Sequence, residues 1–293
     1  MNLIVPIEVT ADKLTTNVAE TEYPAWSSST DYTSGNLVQY EHKIYKALVS
    51  NTNVLPTNTN TWVYVSYTNP FRMFDKENSS KTTNSTVIDV TIAPSIYDGI
   101  VNSIALLEVT ANSVQITVTD ATDGVVYDKT FSLINYSNVL NIYDYFFEPI
   151  NFVNQSLTID LPNYVGADIR IQIFGDAVSI GTCLLGKYVK IGCTKYGAGV
   201  GITDYSKKEA DTFGGFTVVE RNYSKRGTFE VVVPTENLDN IVNVFASRRA
   251  KPTLYFATQK YKCTIIYGFY KDFSPIISYP TISEMNLEIE GLI

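Results

Sequence analysis

The stretch SVQITVTDATDGVVYDKTFSL, residues 113–133, decides the fold class of this chain. Its first eight residues alternate between apolar and polar side chains, which is the period of a strand with one buried face. The dipeptide Asp123-Gly124 follows, and this pair favours the tight turn of a β-hairpin. A second strand-forming run comes directly after the turn. The stretch therefore predicts an antiparallel hairpin.

Further runs with strand character flank this hairpin on both sides. They lie at residues 85–92, 103–109, 155–162 and 168–175. Short strands at such close spacing are typical of an antiparallel sandwich. We therefore predict a mainly β chain with an antiparallel β-sandwich domain over residues 69–182. A short strand within residues 1–20 is expected to pack on the sandwich, and Pro6 would put that strand at a sheet edge.

The last third of the chain has a different pattern, which predicts a C-terminal mixed β domain with one helix over residues 183–293. The helix is expected in ENLDNIVNVFASRRAK, residues 236–251, because its apolar residues recur at helical spacing. The run at residues 214–235 predicts two strands joined by a basic connection at residues 221–227. The aromatic run at residues 138–150 is either a short helix or an irregular crossover, and both remain open.

Charge is low and unevenly placed along the chain. The net charge of -8 argues weakly against general nucleic-acid binding. Residues 1–182 carry 8 Lys and Arg against 19 Asp and Glu, a net -11, and residues 183–293 carry 14 against 11, a net +3. Two basic clusters in the second part form a possible interface with an acidic partner, for example the acidic part of a neighbouring copy. The residues of this interface are Arg221, Lys225, Arg226, Arg248 and Arg249. A solvated loop and a cationic helix C-terminus explain the same clusters equally simply.

The cysteines and the amino-terminal segment indicate neither a disulfide scaffold nor an export signal. Cys183, Cys193 and Cys263 are odd in number and show no CxxC spacing, so we expect buried or free thiols. The opening residues lack a basic segment followed by a long apolar segment, so no signal peptide is expected. No apolar run approaches the roughly 18 residues of a membrane helix, so no membrane insertion is expected.

The sequence contains few candidates for covalent chemistry. His42 is the only histidine and is expected to be an exposed turn residue, which argues against a histidine-dependent triad or metal site. Glycoside hydrolysis needs two carboxylates across a cleft, which spacing alone cannot show. The carboxylates considered are Asp120, Asp123, Asp128, Asp144, Glu148 and Asp160, and most are expected at surfaces and turns. We predict no catalytic residues, no metal and no cofactor.

Both tryptophans of the chain lie in one short polar stretch, EYPAWSSSTDYTSGNLVQYEHKIYKALVSNTNVLPTNTNTWVYV, residues 22–65. Its centre predicts two short strands, NLVQY and KIYKALV, joined by a Glu-His turn and preceded by a turn at Gly35. A third strand is expected in the closing NTWVYV. The stretch therefore predicts a small three-stranded sheet over residues 21–68.

This pattern resembles the chitin-binding type-5/12 family of carbohydrate-binding modules. The matching residues are Trp26, Tyr32, Gly35, Asn36, Val38, Tyr40, Tyr45, Ala47, Pro56 and Trp62. Asn36 stands where that family usually has an aspartate. The resemblance covers about 45 residues, roughly a sixth of the chain. It implies that residues 21–68 form a carbohydrate-binding-like module.

A sugar ring stacks its C–H face on an aromatic plane, whereas a three-stranded module also needs aromatic rings to form a core. The predicted carbohydrate-binding residues are Trp26, Tyr40 and Trp62 with Asn36. The predicted module core consists of Tyr32, Val38 and Tyr45. The alternative that all five rings are core stays open.

The closing run FSPIISYPTISEMNLEIEGLI, residues 273–293, resembles the ends of tail and baseplate proteins of tailed bacteriophages. The two resemblances together imply a virion component that is assembled in the host cytoplasm as a homo-oligomer and contacts other tail proteins. Such a protein would bind host surface glycan weakly, with many copies giving avidity. Two alternatives remain open: a purely structural virion assembly protein with the module as decoration, and a glycan-hydrolase accessory protein.

Overall fold

The computed structural model describes residues 1–77, 79–135, 139–147, 151–210 and 214–292. Strands dominate, which confirms the prediction of a mainly β fold. The chain divides into two compact units. Unit 1 comprises residues 1–7, 101–104 and 185–293, and unit 2 comprises residues 8–100 and 105–184. No helix within the described ranges has the length and apolarity needed to cross a bilayer.

The elements are numbered in chain order. The strands of the first half are β1 Asn2–Pro6, β2 Leu14–Thr16, β3 Asp31–Tyr32, β4 Leu37–Tyr40, β5 Lys43–Ala47, β6 Asn51–Thr52, β7 Trp62–Tyr67, β8 Thr82–Asn84, β9 Val87–Ile92, β10 Ser103–Leu107, β11 Ser113–Asp120, β12 Gly124–Ser132 and β13 Ile134–Asn135. Those of the second half are β14 Asn151–Phe152, β15 Gln155–Thr158, β16 Asp168–Phe174, β17 Val178–Ile180, β18 Thr182–Lys190, β19 Cys193–Thr194, β20 Gly199–Asp204, β21 Lys207–Ala210, β22 Phe216–Val219, β23 Tyr223–Pro234, β24 Thr253–Phe256, β25 Ile266–Ile276 and β26 Ile282–Gly291. The α-helices are α1 Ile142–Phe147 and α2 Leu238–Arg248. Short 3-10 helices lie at Ala11–Lys13, Asn69–Phe74, Ile96–Asp98, Thr235–Asn237 and Lys262–Thr264.

Unit 1 contains a curled sheet in the order β18-β1-β24-β25-β26-β23-β19, and β20 also pairs with β23. Helix α2 lies where the sequence predicted the amphipathic helix, and it buries Leu238, Ile241 and Phe245. The Phe245 ring stacks on Phe273 with 4.3 Å between centroids. The described pairs within unit 1 are antiparallel, whereas the sequence analysis predicted a mixed sheet.

The amino-terminal strand β1 is an interior strand of unit 1, not an edge strand on the sandwich. It pairs with β18 on one side and with β24 on the other. The pairing with β24 ends at Ile4, so the missing N–H of Pro6 interrupts no bond on that side. Only the later strand β2 joins the sheet of unit 2, where it pairs with β9. The predicted segment 1–20 is therefore divided between the two units.

Unit 2 contains a five-stranded antiparallel sheet in the order β12-β11-β16-β9-β2. The predicted hairpin is its β11–β12 pair, and Gly124 adopts the positive φ that the turn requires. Alternate residues of β9, β11 and β16 are buried, as a sandwich-like layer requires. On the opposite, polar face Arg170 donates two hydrogen bonds to Asp89, and this pairing lowers the pKa of the Asp89 carboxyl.

The predicted basic connection at residues 221–227 is mostly strand. Residues 199–210 pair with residues 216–228, first as β20 with β23 and then as β21 with β22. We call this two-stranded ribbon the arm. The two strands of the arm run side by side along its length. The basic residues therefore lie along the arm and do not form a turn between two strands.

Candidate functional site

The module at residues 21–68 forms the predicted small sheet, with strand order β4-β5-β7 and a separate β3–β6 pair. Its hairpin turns at Glu41 and His42, and both adopt positive φ values of 47° and 61°. Two successive positive φ angles are the geometry of a type I′ turn, which matches the twist of the flanking strands. The Glu-His turn and the turn at Gly35, with φ 96°, are therefore confirmed.

The core of the module contains Trp62, which is only 1% exposed. The indole Nε1 of Trp62 donates a 3.0 Å hydrogen bond to the carbonyl of Val54, and the ring packs edge-on against Tyr32. A ring with no free face cannot stack on a sugar, so the prediction that Trp62 belongs to a binding face is wrong. Tyr32, Val38 and Tyr45 are buried beside it, which confirms the predicted core.

Trp26 lies between core and surface. Its ring is partly buried against the module core and meets the Tyr40 ring edge-on, with 5.7 Å between centroids. Its backbone N–H donates to the carbonyl of Gln39, which ties the segment to β4. The indole Nε1 is buried and has no hydrogen-bond partner within the described part of the chain.

Three tyrosines lie on one face of the small sheet, which we call the tyrosine face: Tyr40 on β4, and Tyr64 and Tyr67 on β7. Tyr40 is directly opposite Lys43, which in turn is opposite Tyr67. The Tyr64 and Tyr67 rings lie 5.9 Å apart, and the Lys43 ammonium lies 5.6 Å from the Tyr67 ring centroid. Tyr64 is 45% exposed.

A β-bulge creates the tyrosine face. Ile44 pairs with Ser66 and Tyr45 with Tyr64, so Val65 is an extra residue on β7. In a regular strand, residues three apart point to opposite faces. The extra residue at Val65 brings Tyr64 and Tyr67 to one face.

Two phenols of the tyrosine face, those of Tyr64 and Tyr40, are held in the neutral form. Burial, with neighbouring Tyr67 and the carboxylates of Asp75 and Glu77, raises the pKa of Tyr64 well above its usual range. Burial and Glu41 likewise raise the pKa of Tyr40. Neutral phenol groups can donate and accept hydrogen bonds while their rings stack on C–H groups.

Asn36 has a structural role in the turn before β4. Its side-chain oxygen accepts hydrogen bonds from the backbone N–H of Thr33 at 2.8 Å and from the Thr33 hydroxyl at 3.2 Å. Asn36 is exposed, but it lies in the loop before β4 and not among the paired residues that carry the tyrosine face. The sequence prediction of Asn36 as a sugar contact has no support from these bonds.

His42 is partly buried and contacts Glu20, in the segment before the module. Its Nδ1 lies 2.6 Å from the Glu20 carboxylate, and its ring lies 4.3 Å from that of Phe71. The His42 carbonyl accepts bonds from both the N–H and the hydroxyl of Thr68. The expectation of an exposed turn histidine is confirmed in its turn position, and the His42 side chain is 43% exposed although it has partners.

Asp75 is a buried carboxyl beside the tyrosine face, and burial raises its pKa to about 6. Because the folded chain holds this proton more tightly than the unfolded chain, stability falls as pH rises between about 4 and 6 and then levels off. Asp75→Asn should remove this penalty and stabilise the fold at pH 7 by on the order of 1–3 kcal/mol.

Urea unfolding at pH 4 and pH 7, followed by tryptophan fluorescence, measures the effect of Asp75→Asn. The variant and the natural chain should be equally stable near pH 4. The exposed Asp176→Asn is the matched control and should change nothing. A destabilised Asp75→Asn at pH 7 would show instead that the bond from the Glu77 N–H to Asp75 requires a charged acceptor.

The predicted interface residues separate into two groups. Arg221 and Arg226 are exposed and Lys225 is partly exposed on the arm, and Arg249 is exposed at the end of α2. Arg248 instead donates to the Thr253 hydroxyl and the Pro252 carbonyl, both at 3.0 Å. Its guanidinium is engaged inside unit 1, so Arg248 is not available to a partner.

Most of the carboxylates considered in the sequence have structural partners. Asp120 accepts backbone N–H bonds in the β11–β12 turn, Asp128 accepts from Gln115, and Asp160 accepts from Lys129. Asp123 accepts from the Tyr164 hydroxyl. Glu148 lies outside the described residues. Among the residues that are described, no group of three or more His, Cys, Asp or Glu side chains could hold a metal ion.

The cysteines are free in this structure, as expected. Cys183 is buried, and burial raises the pKa of its thiol, whereas Cys193 and Cys263 are exposed.

The arrangement can bind a ligand that offers apolar C–H surface with hydroxyls at its rim. Sequence reasoning identified Tyr40 but missed Tyr64 and Tyr67, because the bulge at Val65 leaves no sequence signature. The nearest signal was the run WVYVSY, in which regular alternation would put the two tyrosines on opposite faces.

The fold and site define a mainly β protein with a small aromatic module. No family model matches the chain, and no curated protein matches it.

Proposed function

We propose that this protein is a structural component of a phage tail or baseplate that binds host cell-surface glycan through the tyrosine face. The observation that carries the glycan half is the placement of Tyr40, Tyr64 and Tyr67 on one sheet face, with Lys43 between Tyr40 and Tyr67. Its binding is non-covalent, by ring stacking and hydrogen bonds. The virion half rests on the resemblance of residues 273–293 to the ends of tail proteins.

The shape of the tyrosine face supports weak binding. Its exposed rings lie on one face of a three-stranded sheet, so they contact only one side of a sugar ring. Most known small-molecule sites instead enclose the ligand on several sides. A protein present in many copies compensates through avidity, which raises overall affinity by two to four orders of magnitude without any new contact.

A purely structural virion protein with the module as decoration is the second candidate. The burial of Trp62 favours it, because one of the three predicted platform rings serves the core alone. The two candidates differ in one property, which is whether the tyrosine face has a ligand.

A glycan array tests the proposal with the full chain in two forms, as a free protein and displayed in many copies on beads. We expect retention on at least one class of bacterial surface glycan, at least 100-fold stronger for the displayed form. Labelling the protein in whole particles for electron microscopy tests the virion half separately. The absence of retention in both forms would leave only the structural candidate.

A further inference from the structure

Among the described residues of unit 2, the most exposed apolar segment is residues 139–147, which follow β13 and precede β14 in the chain and which we call the apex. It comprises helix α1 and the residues before it. Its six large apolar side chains are 65–86% exposed. They are Leu140, Ile142, Tyr143, Tyr145, Phe146 and Phe147.

The apex is locally well formed although it has no core of its own. The Asn141 side chain accepts bonds from the N–H groups of Tyr143 and Asp144 at 2.8 and 3.0 Å. Asp144 in return accepts from the N–H groups of Leu140 and Asn141 at 3.0 and 3.2 Å. This reciprocal capping fixes a helix that buries none of its residues. A capped helix with apolar side chains on every side is typical of an element that another surface covers.

The exposed area of the apex is large enough for a specific protein contact. Aromatic side chains bury roughly 150–250 Å² each, so six large side chains that are mostly exposed offer on the order of 600–900 Å². A standard interface buries about 800 Å² on each partner. The apex alone therefore offers about the area that one partner buries in a standard interface.

The charges that flank the apex in the sequence favour a basic partner. Residues 130–169 contain no Lys or Arg, and Asp144 lies within α1. An anionic lipid surface would repel such a segment. A partner with apolar side chains and a cationic rim complements it.

The arm of unit 1 is a surface of that kind. It exposes Ile202, Phe216 and Val218. Ile202 is directly opposite Lys225, and Arg221 lies between β22 and β23. None of the described ion pairs includes Arg221, Lys225 or Arg226.

We propose that the apex of one copy binds the arm of a second copy. The contact joins two different patches, so it is heterologous: each copy supplies one apex and one arm, and successive copies build a ring or an open filament. This association is independent of glycan binding. Combined with the proposed function, it would supply the many copies that avidity requires.

Analytical ultracentrifugation of the full chain over roughly 1–100 μM tests the contact. The natural chain should show a mass that rises with concentration. An apex variant, Ile142→Ser with Phe146→Ser and Phe147→Ser, should keep the mass of one chain. An arm variant, Ile202→Ser with Phe216→Ser and Lys225→Glu, should do the same. Tyr97→Ser, which removes a side chain that is 92% exposed elsewhere, is the matched control and should associate like the natural chain.

Mixing the two variants gives the decisive result, because each retains the patch that the other lacks. A heterologous contact predicts that the mixture forms a one-to-one dimer and nothing larger. Circular dichroism of each variant checks that the fold is retained. A natural chain that stays monomeric, an apex variant that associates normally, or a mixture that stays monomeric would each overturn the proposal. A monomeric chain that floats with phosphatidylcholine vesicles through Phe146 and Phe147 would overturn it in favour of a bilayer.

Discussion

Trp62→Ala should lower the free energy of unfolding of the module by about 3–5 kcal/mol, the cost of removing a buried aromatic side chain. The substitution empties the centre of a core of few residues and leaves the Val54 carbonyl without its indole donor. A small sheet has little other buried surface to compensate for the loss. We expect the module to be largely unfolded at 37 °C.

Urea unfolding followed by tryptophan fluorescence measures this loss selectively, because both tryptophans of the chain lie in the module. In Trp62→Ala the signal comes from Trp26 alone. Trp26→Ala, followed through Trp62, is the matched comparison and should cost only roughly 1–2 kcal/mol, because that ring is partly exposed. An equal effect of the two substitutions would contradict the assignment of Trp62 as the central core residue.

Gly186→Ala should destabilise unit 1 by about 3 kcal/mol or more, which is at the upper end of overpacking effects. A Cβ at this position would lie 2.0 Å from the backbone oxygen of Val5, so β1 and β18 could not keep their pairing. The Gly186 carbonyl also accepts bonds from the Ser103 hydroxyl and the Asn102 N–H, which any shift would disturb.

Hydrogen exchange of the β1 and β18 amides measures the effect of Gly186→Ala directly, because faster exchange reports local opening. Gly199→Ala is the matched control, since a Cβ at Gly199 meets no atom within 4 Å. If the β1 amides stay protected in Gly186→Ala, the paired strands can accommodate the extra Cβ, and that result would contradict the prediction.

The elements that sequence predicted best depend on local patterns. The β11–β12 hairpin follows from alternation and from the Asp123-Gly124 turn, and helix α2 follows from its apolar spacing. The module strands β4 and β5 follow in the same way. In each case the pairing partners are neighbours in sequence, so a short stretch contains the whole signal.

The errors arose where the partner is distant or the register is irregular. Strand β1 pairs with residues 180 or more positions away, and nothing in its own sequence identifies them. The tyrosine face depends on one extra residue at Val65, and the burial of Trp62 depends on which face of β7 meets the core. Alternation shows that two residues share a face but does not show which face is buried.

The central claim is that the tyrosine face binds glycan. The most direct test is to measure retention of the double variant Tyr64→Ala with Tyr67→Ala on the glycan array. Tyr64 is exposed and Tyr67 is partly exposed, so each loss should cost the module no more than roughly 1–2 kcal/mol, and tryptophan-monitored unfolding checks that the double variant stays folded. Tyr97→Ala serves as the exposed control. We predict that the double variant loses at least ten-fold in retention on every glycan that holds the natural chain, while the control loses none. Retention of the folded double variant equal to that of the natural chain would contradict the claim.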